Sequence, residues 1–185
     1  LQETQFWKQS NHLVQAPKVW DTLRERARAA GRPAPTVANS FWWFNMHSSV
    51  DVAVTPRPQY RADGRKVPDC WTHPAALRDE LQAKFGPFPL FHFWGPASDA
   101  RSSDWIANAA MEVERRFEPT LQLVYLPHLD YCLQKFGPDD ARTDREIREI
   151  DRIFGALRTF FEGQGVRVMV VSEYGIAPVD RAVAP

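Results

Sequence analysis

The sequence predicts an α/β fold in which a mostly parallel sheet is flanked by helices. Two apolar segments, 121–126 and the β-branched 166–171, lie on either side of an amphipathic helix predicted over 140–164. In that helix Ile147, Ile150 and Phe154 recur at three- and four-residue steps, which is the period of a helix that buries one face. Strand, helix and strand joined by short links are typical of parallel α/β sheets.

Further elements are predicted on both sides of a third strand within 35–44, a β-branched and aromatic run. Apolar spacing predicts a helix over 18–30, which Gly31 and Pro33 end. A second helix is predicted over 73–86 with Pro74 in its first turn, and a third from Ser103 to about residue 117. Residues 45–69 are predicted to form a loop or short hairpin, and 87–96 a loop.

The amino-acid composition limits which classes of protein and which partners are possible. The 185 residues are 44% hydrophobic and 12% aromatic, which predicts one well-buried core and a single domain over 1–185. Because 23 basic residues balance 23 acidic ones, no long-range field favours a nucleic-acid polymer or an anionic membrane. No apolar run approaches the ~20 residues that span a bilayer, and no leader is evident, so a cytoplasmic protein without a membrane partner is expected. Cys70 and Cys132 are interpreted as ordinary thiols.

Polar side chains follow two of the predicted strands, at the point where each strand ends. His128 and Asp130 come after segment 121–126, and Glu173 and Tyr174 come after segment 166–171. Ligands of open α/β sheets bind beyond the carboxyl ends of the strands. The sequence therefore predicts a binding site at this edge, to which His47, after the aromatic strand, also belongs.

Three segments together resemble one family. Segment 123–138 resembles a loop of the type I phosphodiesterases/nucleotide pyrophosphatases, in which a strand leads to an Asp, a His four places later, and then Gly-Pro; here Asp130 and Gly137-Pro138 match. Ser172-Glu173-Tyr174-Gly175 resembles the Ser-Asp-His-Gly metal loop of the same family. Upstream, Phe41-Trp42-Trp43 resembles its Phe-Trp-containing strand end.

The resemblance implies a partial domain of the alkaline phosphatase superfamily. Its activity would be hydrolysis of phosphoester or phosphoanhydride bonds in a small phosphorylated substrate at two divalent metal ions, usually zinc, which activate the nucleophile and stabilise the in-line displacement. The Thr or Ser nucleophile of the family would lie before Leu1, so no catalytic residue is assigned in this chain. The oligomeric state stays open.

The sequence departs from the family at two histidines. Gln134 stands at the His position of the first loop and Tyr174 at that of the metal loop. The ligands that remain are Asp130 and Glu173, with His128 as a possible substitute, and such an oxygen-rich set favours manganese or magnesium over zinc. Tyr174, Gln134 and His47 are the predicted substrate contacts.

Each candidate also has a structural interpretation. Asp130 can close a turn after Pro127, Glu173 can pair with an arginine such as Arg181, and Tyr174 can pack beside a strand end. An isolated histidine such as His128 often has no ligand. Two functions follow: half of a metal-dependent phosphohydrolase site, or a degenerate member that binds a phosphorylated ligand or a protein partner without hydrolysis.

Overall fold

The computed structural model describes residues 10–181, which contain six strands and five α-helices. The strands are β1 (Val37–Ser40), β2 (Val52–Pro56), β3 (Gln59–Tyr60), β4 (Lys66–Val67), β5 (Cys70–His73) and β6 (Leu121–Val124). The helices are α1 (Val19–Ala29), α2 (Ala76–Phe85), α3 (Ala100–Phe117), α4 (His128–Phe136) and α5 (Ala141–Gly163). Short 3₁₀ turns occupy Asn11–Leu13 and Leu90–His92.

These elements form two compact units. Among the described residues, the first unit contains 10–88 and Asn108–Tyr125, and the second contains Pro89–Ala107 and 126–181. Helix α3 is divided between the units after Ala107. A single domain over 1–185 stays a prediction.

The first unit is built on a four-stranded sheet in the order β5-β2-β1-β6. Strand β1 pairs in parallel with β2 and with β6, while β5 is antiparallel to β2. The prediction of an α/β fold with a mostly parallel sheet and flanking helices is therefore confirmed.

Strand β2 corrects one sequence prediction. Its region was expected to be loop or short hairpin, yet all five residues of Val52–Pro56 are buried in the sheet. The alternation of Val50, Val52 and Val54 indicated a hairpin with one exposed face. In the structure both faces of β2 are buried, and strands of that kind have apolar or small residues at successive positions rather than at alternate ones. The expected hairpin does form one step later, where β3 and β4 pair around Asp63-Gly64.

Helix α1 covers one face of this sheet through a single large side chain. Trp20 packs into a core cluster with Val37, Val50 and Ala53. Its indole Nε1 donates to Ser49 Oγ at 2.9 Å, so the polar atom of the buried ring is satisfied.

The second unit is dominated by helices α4 and α5, which are in contact, and by the turn between them. Gly137 ends α4 with φ +81°, a backbone conformation that favours glycine. Thr143 in the first turn of α5 is buried and donates from Oγ1 to the Gly137 carbonyl at 2.9 Å. Ile153, Leu157 and Phe161 form the buried stripe of α5, as predicted, whereas Ile147, which was expected on the same face, is 45% exposed.

Two further sequence predictions fall in the second unit and are wrong. Residues 128–130 were expected to be a strand-end loop but form the first turn of α4. Segment 166–171 was expected to be a strand, but within residues 10–181 it pairs with no other strand, and Met169, Val170 and Val171 are 82%, 70% and 70% exposed. A β-branched sequence favours extended backbone, yet a strand also needs a neighbour to accept its hydrogen bonds.

One boundary also differs. Helix α3 begins at Ala100 rather than at Ser103, which is fully buried inside the helix.

Across residues 10–181, none of the helices combines the length and the apolar character needed to cross a bilayer.

Candidate functional site

Asp130 lies in the first turn of α4, three residues after Pro127. Its backbone N–H donates to the Pro127 carbonyl at 3.3 Å, which is the turn that the sequence left open as its structural interpretation. A carboxylate in this position also interacts favourably with the positive end of the helix dipole. Local structure therefore explains where the residue lies.

Both carboxylate oxygens of Asp130 accept hydrogen bonds from neutral side chains. Gln134, one helical turn later, donates from Nε2 to Oδ2 at 2.7 Å, and Tyr174 donates from its hydroxyl to Oδ1 at 2.6 Å. These three residues, here called the Asp130 cluster, are brought together although 44 positions separate Asp130 from Tyr174. The two residues that stand where the resemblance expected histidines thus contact the same carboxylate.

Glu173 precedes Tyr174 in an exposed segment. In this segment Ser172 Oγ donates to the Tyr174 carbonyl at 2.8 Å, which closes a local turn. Glu173 forms no ion pair with any residue in the described part of the chain, so the alternative of a bridge to Arg181 is not observed. Its assignment as a metal ligand stays a prediction.

His128 lies on the same helix but is buried, with 1% of its surface exposed. Its Nδ1 is 3.0 Å from Ser103 Oγ, and its Nε2 is 3.7 Å from Glu146 Oε2, beyond hydrogen-bond distance. Burial lowers the pKa of this imidazole below its usual range, and the charge of Glu146 opposes that effect only in part. The ring is neutral and buried and has a serine as its partner, which are the surroundings of a histidine in a protein core. A ligand role for His128 stays a prediction.

His47 belongs to the first unit, in the turn that follows β1. Its exposed ring stacks on His12 with centroids 5.7 Å apart and meets Trp71 edge-on at 5.4 Å. Backbone strain is concentrated in this turn, because Phe41, Phe44 and His47 all have φ between +56° and +69°. Such strain is often retained at binding sites, and it lies at the sheet edge where α/β proteins bind ligands. Substrate contact by His47 stays a prediction.

Sequence reasoning missed a cavity of about 560 Å³ in the second unit. It is enclosed by the loop after Phe93, by α4 and by the start of α5. The residues that line it are Gly95, Pro96, Ser98, Tyr131, Cys132, Gln134, Lys135, Phe136, Arg142, Arg145 and Glu146. The available signal was the pair Arg142 and Arg145, which share one face of the helix predicted over 140–164.

The described donors do not fit a centre for two divalent ions. Each oxygen of Asp130 accepts a hydrogen bond from a neutral donor, and nowhere between residues 10 and 181 do three or more His, Cys, Asp or Glu side chains converge as a metal site requires. Amide and phenol groups are poor substitutes for the imidazole ligands that zinc prefers. The geometry is that of a carboxylate held by neutral donors.

The comparisons with known proteins agree with the resemblance seen in the sequence. A family model described as Type I phosphodiesterase / nucleotide pyrophosphatase matches residues 1–185, which is the whole chain. No curated protein and no solved structure matches it.

Proposed function

The chain belongs to the type I phosphodiesterase/nucleotide pyrophosphatase family, a family of hydrolases, and from that premise we propose that it binds a phosphorylated small molecule without two-metal hydrolysis. The observation that carries this proposal is the Asp130 cluster. Gln134 and Tyr174 replace the two histidines of the family pattern, and each donates to one oxygen of Asp130.

The oxygens of a carboxylate can be satisfied either by metal ions or by hydrogen-bond donors. In a metal site, cations neutralise it and imidazoles complete the coordination shell. Here two neutral donors supply charge-assisted hydrogen bonds to the same oxygens, at 2.7 and 2.6 Å. A metal ion at Asp130 would compete with both donors for the oxygen lone pairs and would gain no imidazole from either position.

A second candidate is the metal-dependent phosphohydrolase, with this chain supplying part of the active site. Family membership over the whole chain and the position of Asp130 favour it. In that case Asp130, Glu173 and His128 are the ligand candidates for zinc, manganese or magnesium, and the nucleophile is not in this chain.

One experiment separates the two candidates. Calorimetric titration of the chain with Zn²⁺, Mn²⁺ and Mg²⁺ is expected to show no tight metal binding, and an assay of the complete gene product, with its nucleophile segment, on bis(p-nitrophenyl) phosphate is expected to show no metal-stimulated turnover. Turnover that depends on a metal and disappears in Asp130→Ala would establish the hydrolase instead.

A variant with both family histidines restored tests whether Gln134 and Tyr174 are the reason for the expected lack of metal binding. The double substitution Gln134→His and Tyr174→His restores imidazoles beside Asp130, and we expect zinc affinity to rise at least about tenfold, because each added imidazole is a strong zinc ligand. Adding Asp130→Asn to that variant should abolish the gain. Zinc affinity equal to that of the unmodified chain would contradict the idea that these two substitutions disabled the metal site.

A further inference from the structure

The cavity of the second unit has the size of a small-molecule site. Its volume of about 560 Å³ lies within the range of roughly 300–1,000 Å³ that is usual for such pockets. Three separate segments contribute its walls, and it adjoins the Asp130 cluster, because Gln134 lines it while donating to Asp130.

The cations of this cavity are incompletely neutralised. Arg142 is paired with Asp140 through two contacts of 2.8 Å. Lys135 and Arg145, by contrast, form no ion pair with any residue between 10 and 181. Glu146 is the single acidic side chain among the lining residues, so the described walls carry an excess of positive charge in a protein whose formal net charge is zero.

An aromatic surface accompanies these charges. The guanidinium of Arg142 lies over the ring of Phe136, with its central carbon 3.5 Å from the ring centroid, and Lys135 Nζ is 5.1 Å from the same centroid. Cation–π contacts of this kind fix the orientation of the ring and hold the cations at the wall. Tyr131 and Pro96 extend the apolar lining. A ligand with an anionic end and a planar end matches this combination.

We propose that this cavity is where the chain binds its phosphorylated ligand, with the phosphate at Lys135 and Arg145 and a planar group against Tyr131 and Phe136. The inference rests on the proposed function and deepens it by naming the site and the ligand class, a nucleoside monophosphate or another aryl or purine phosphate monoester. Arginine and lysine both bind phosphate oxygens, arginine in a bidentate manner.

Cys132 provides a direct probe, because it lines the cavity and is half-buried. The other cysteine, Cys70, is buried, and burial raises the pKa of its thiol to about 12, so it does not compete for alkylation at neutral pH. We expect AMP to slow the alkylation of Cys132 by iodoacetamide in the full chain. Adenosine at the same concentration is expected to protect less, because it lacks the phosphate.

Two charge variants and a matched control assign the phosphate contacts. Arg145→Gln and Lys135→Gln are each expected to weaken AMP binding about tenfold. Each substitution removes a charged hydrogen-bond donor to the phosphate, and the loss of one such bond corresponds to a change of about this size. Arg148→Gln changes an exposed arginine of the same helix that does not line the cavity, so its affinity should equal that of the unmodified chain. Lys135 and Arg145 are exposed, and circular dichroism checks that the variants remain folded.

The outcomes separate this inference from the proposed function. AMP that binds equally well to both charge variants, or that leaves Cys132 alkylation unchanged, overturns the assignment of the cavity. Metal-stimulated hydrolysis with Cys132 still protected by AMP overturns the non-hydrolytic function while the cavity assignment stands.

Discussion

At the scale of single residues, the Asp130 cluster shows two substitutions with one joint effect. A glutamine one turn along α4 and a tyrosine from a distant segment each bind one oxygen of the same carboxylate. Either residue alone would leave half of the carboxylate without a protein donor. Because both donors meet at Asp130, the structure favours the proposal that hydrogen bonds replace metal coordination at this carboxylate.

His128 predicts a pH dependence of stability. Its folded-state pKa is lowered by burial, whereas in the unfolded chain it returns to about 6.5. Below that value the unfolded state therefore binds the proton more readily, and the free energy of unfolding should fall as the pH drops from about 7.5 to about 5.5. Urea denaturation at a series of pH values measures this slope.

The control for this prediction is a matched pair of substitutions. His128→Gln removes the titrating group and should flatten the slope between these pH values. His73→Gln, at an exposed position, should leave it as it is. Equal slopes for the unmodified chain and His128→Gln would show that the buried imidazole does not govern the pH dependence.

Asp69 in the first unit predicts a large loss of stability. The side chain is 5% exposed and accepts hydrogen bonds from Arg78, Gln59 and Gln82 at 2.6–2.8 Å. Asp69→Ala leaves these donors without their partner, and we expect unfolding to become easier by about 2–4 kcal/mol. Asp79→Ala removes only an exposed partner of Arg78 and should cost less than about 1 kcal/mol. Urea denaturation of both variants at pH 7 gives the comparison.

Asp69 also makes the stability of the fold depend on pH in acid. Burial raises the pKa of Asp69, but hydrogen bonds from Arg78 and Gln59 outweigh burial and hold the pKa below its usual range. Its contribution is therefore complete above about pH 4, the unfolded value, and is lost as the pH falls through the lower folded value. The difference between the unmodified chain and Asp69→Ala should shrink in acid; a difference that stays constant down to pH 2 would contradict this account.

At the scale of elements, segment 166–171 shows that a strand-like sequence is insufficient for a strand. Val170 and Val171 are exposed, Val166 and Val168 are half-buried, and the segment has no pairing partner in the described residues. The segment is held at its far end by the Tyr174 hydroxyl on Asp130. Its role in the fold is thus to carry Tyr174 to α4.

A pair of identical substitutions tests this view of the segment. Val170→Lys changes a side chain that is 70% exposed, and we expect the free energy of unfolding to change by less than about 0.5 kcal/mol. Val54→Lys places the same charge in the buried strand β2 and should prevent stable folding. Thermal and urea denaturation measure both. A loss of more than about 1 kcal/mol for Val170→Lys would mean that the segment packs against something in solution.

At the scale of the whole molecule, local sequence by itself determined most helices and two strands. The apolar spacing around Trp20 and along 140–164 predicted α1 and α5, and the apolar runs within 35–44 and 121–126 predicted β1 and β6, because helix and strand periods are properties of neighbouring residues. The family was also evident from short motifs around Asp130 and Ser172.

Tertiary structure alone decided the rest, since it depends on partners that are distant in the sequence. Burial of both faces made β2 a strand, and the absence of a described partner left 166–171 unpaired. The hydrogen bond from Tyr174 to Asp130 spans 44 positions, and the cavity is enclosed by three segments that no spacing rule connects. Periodicity specifies which face of an element is buried, but only the folded chain specifies what that face meets.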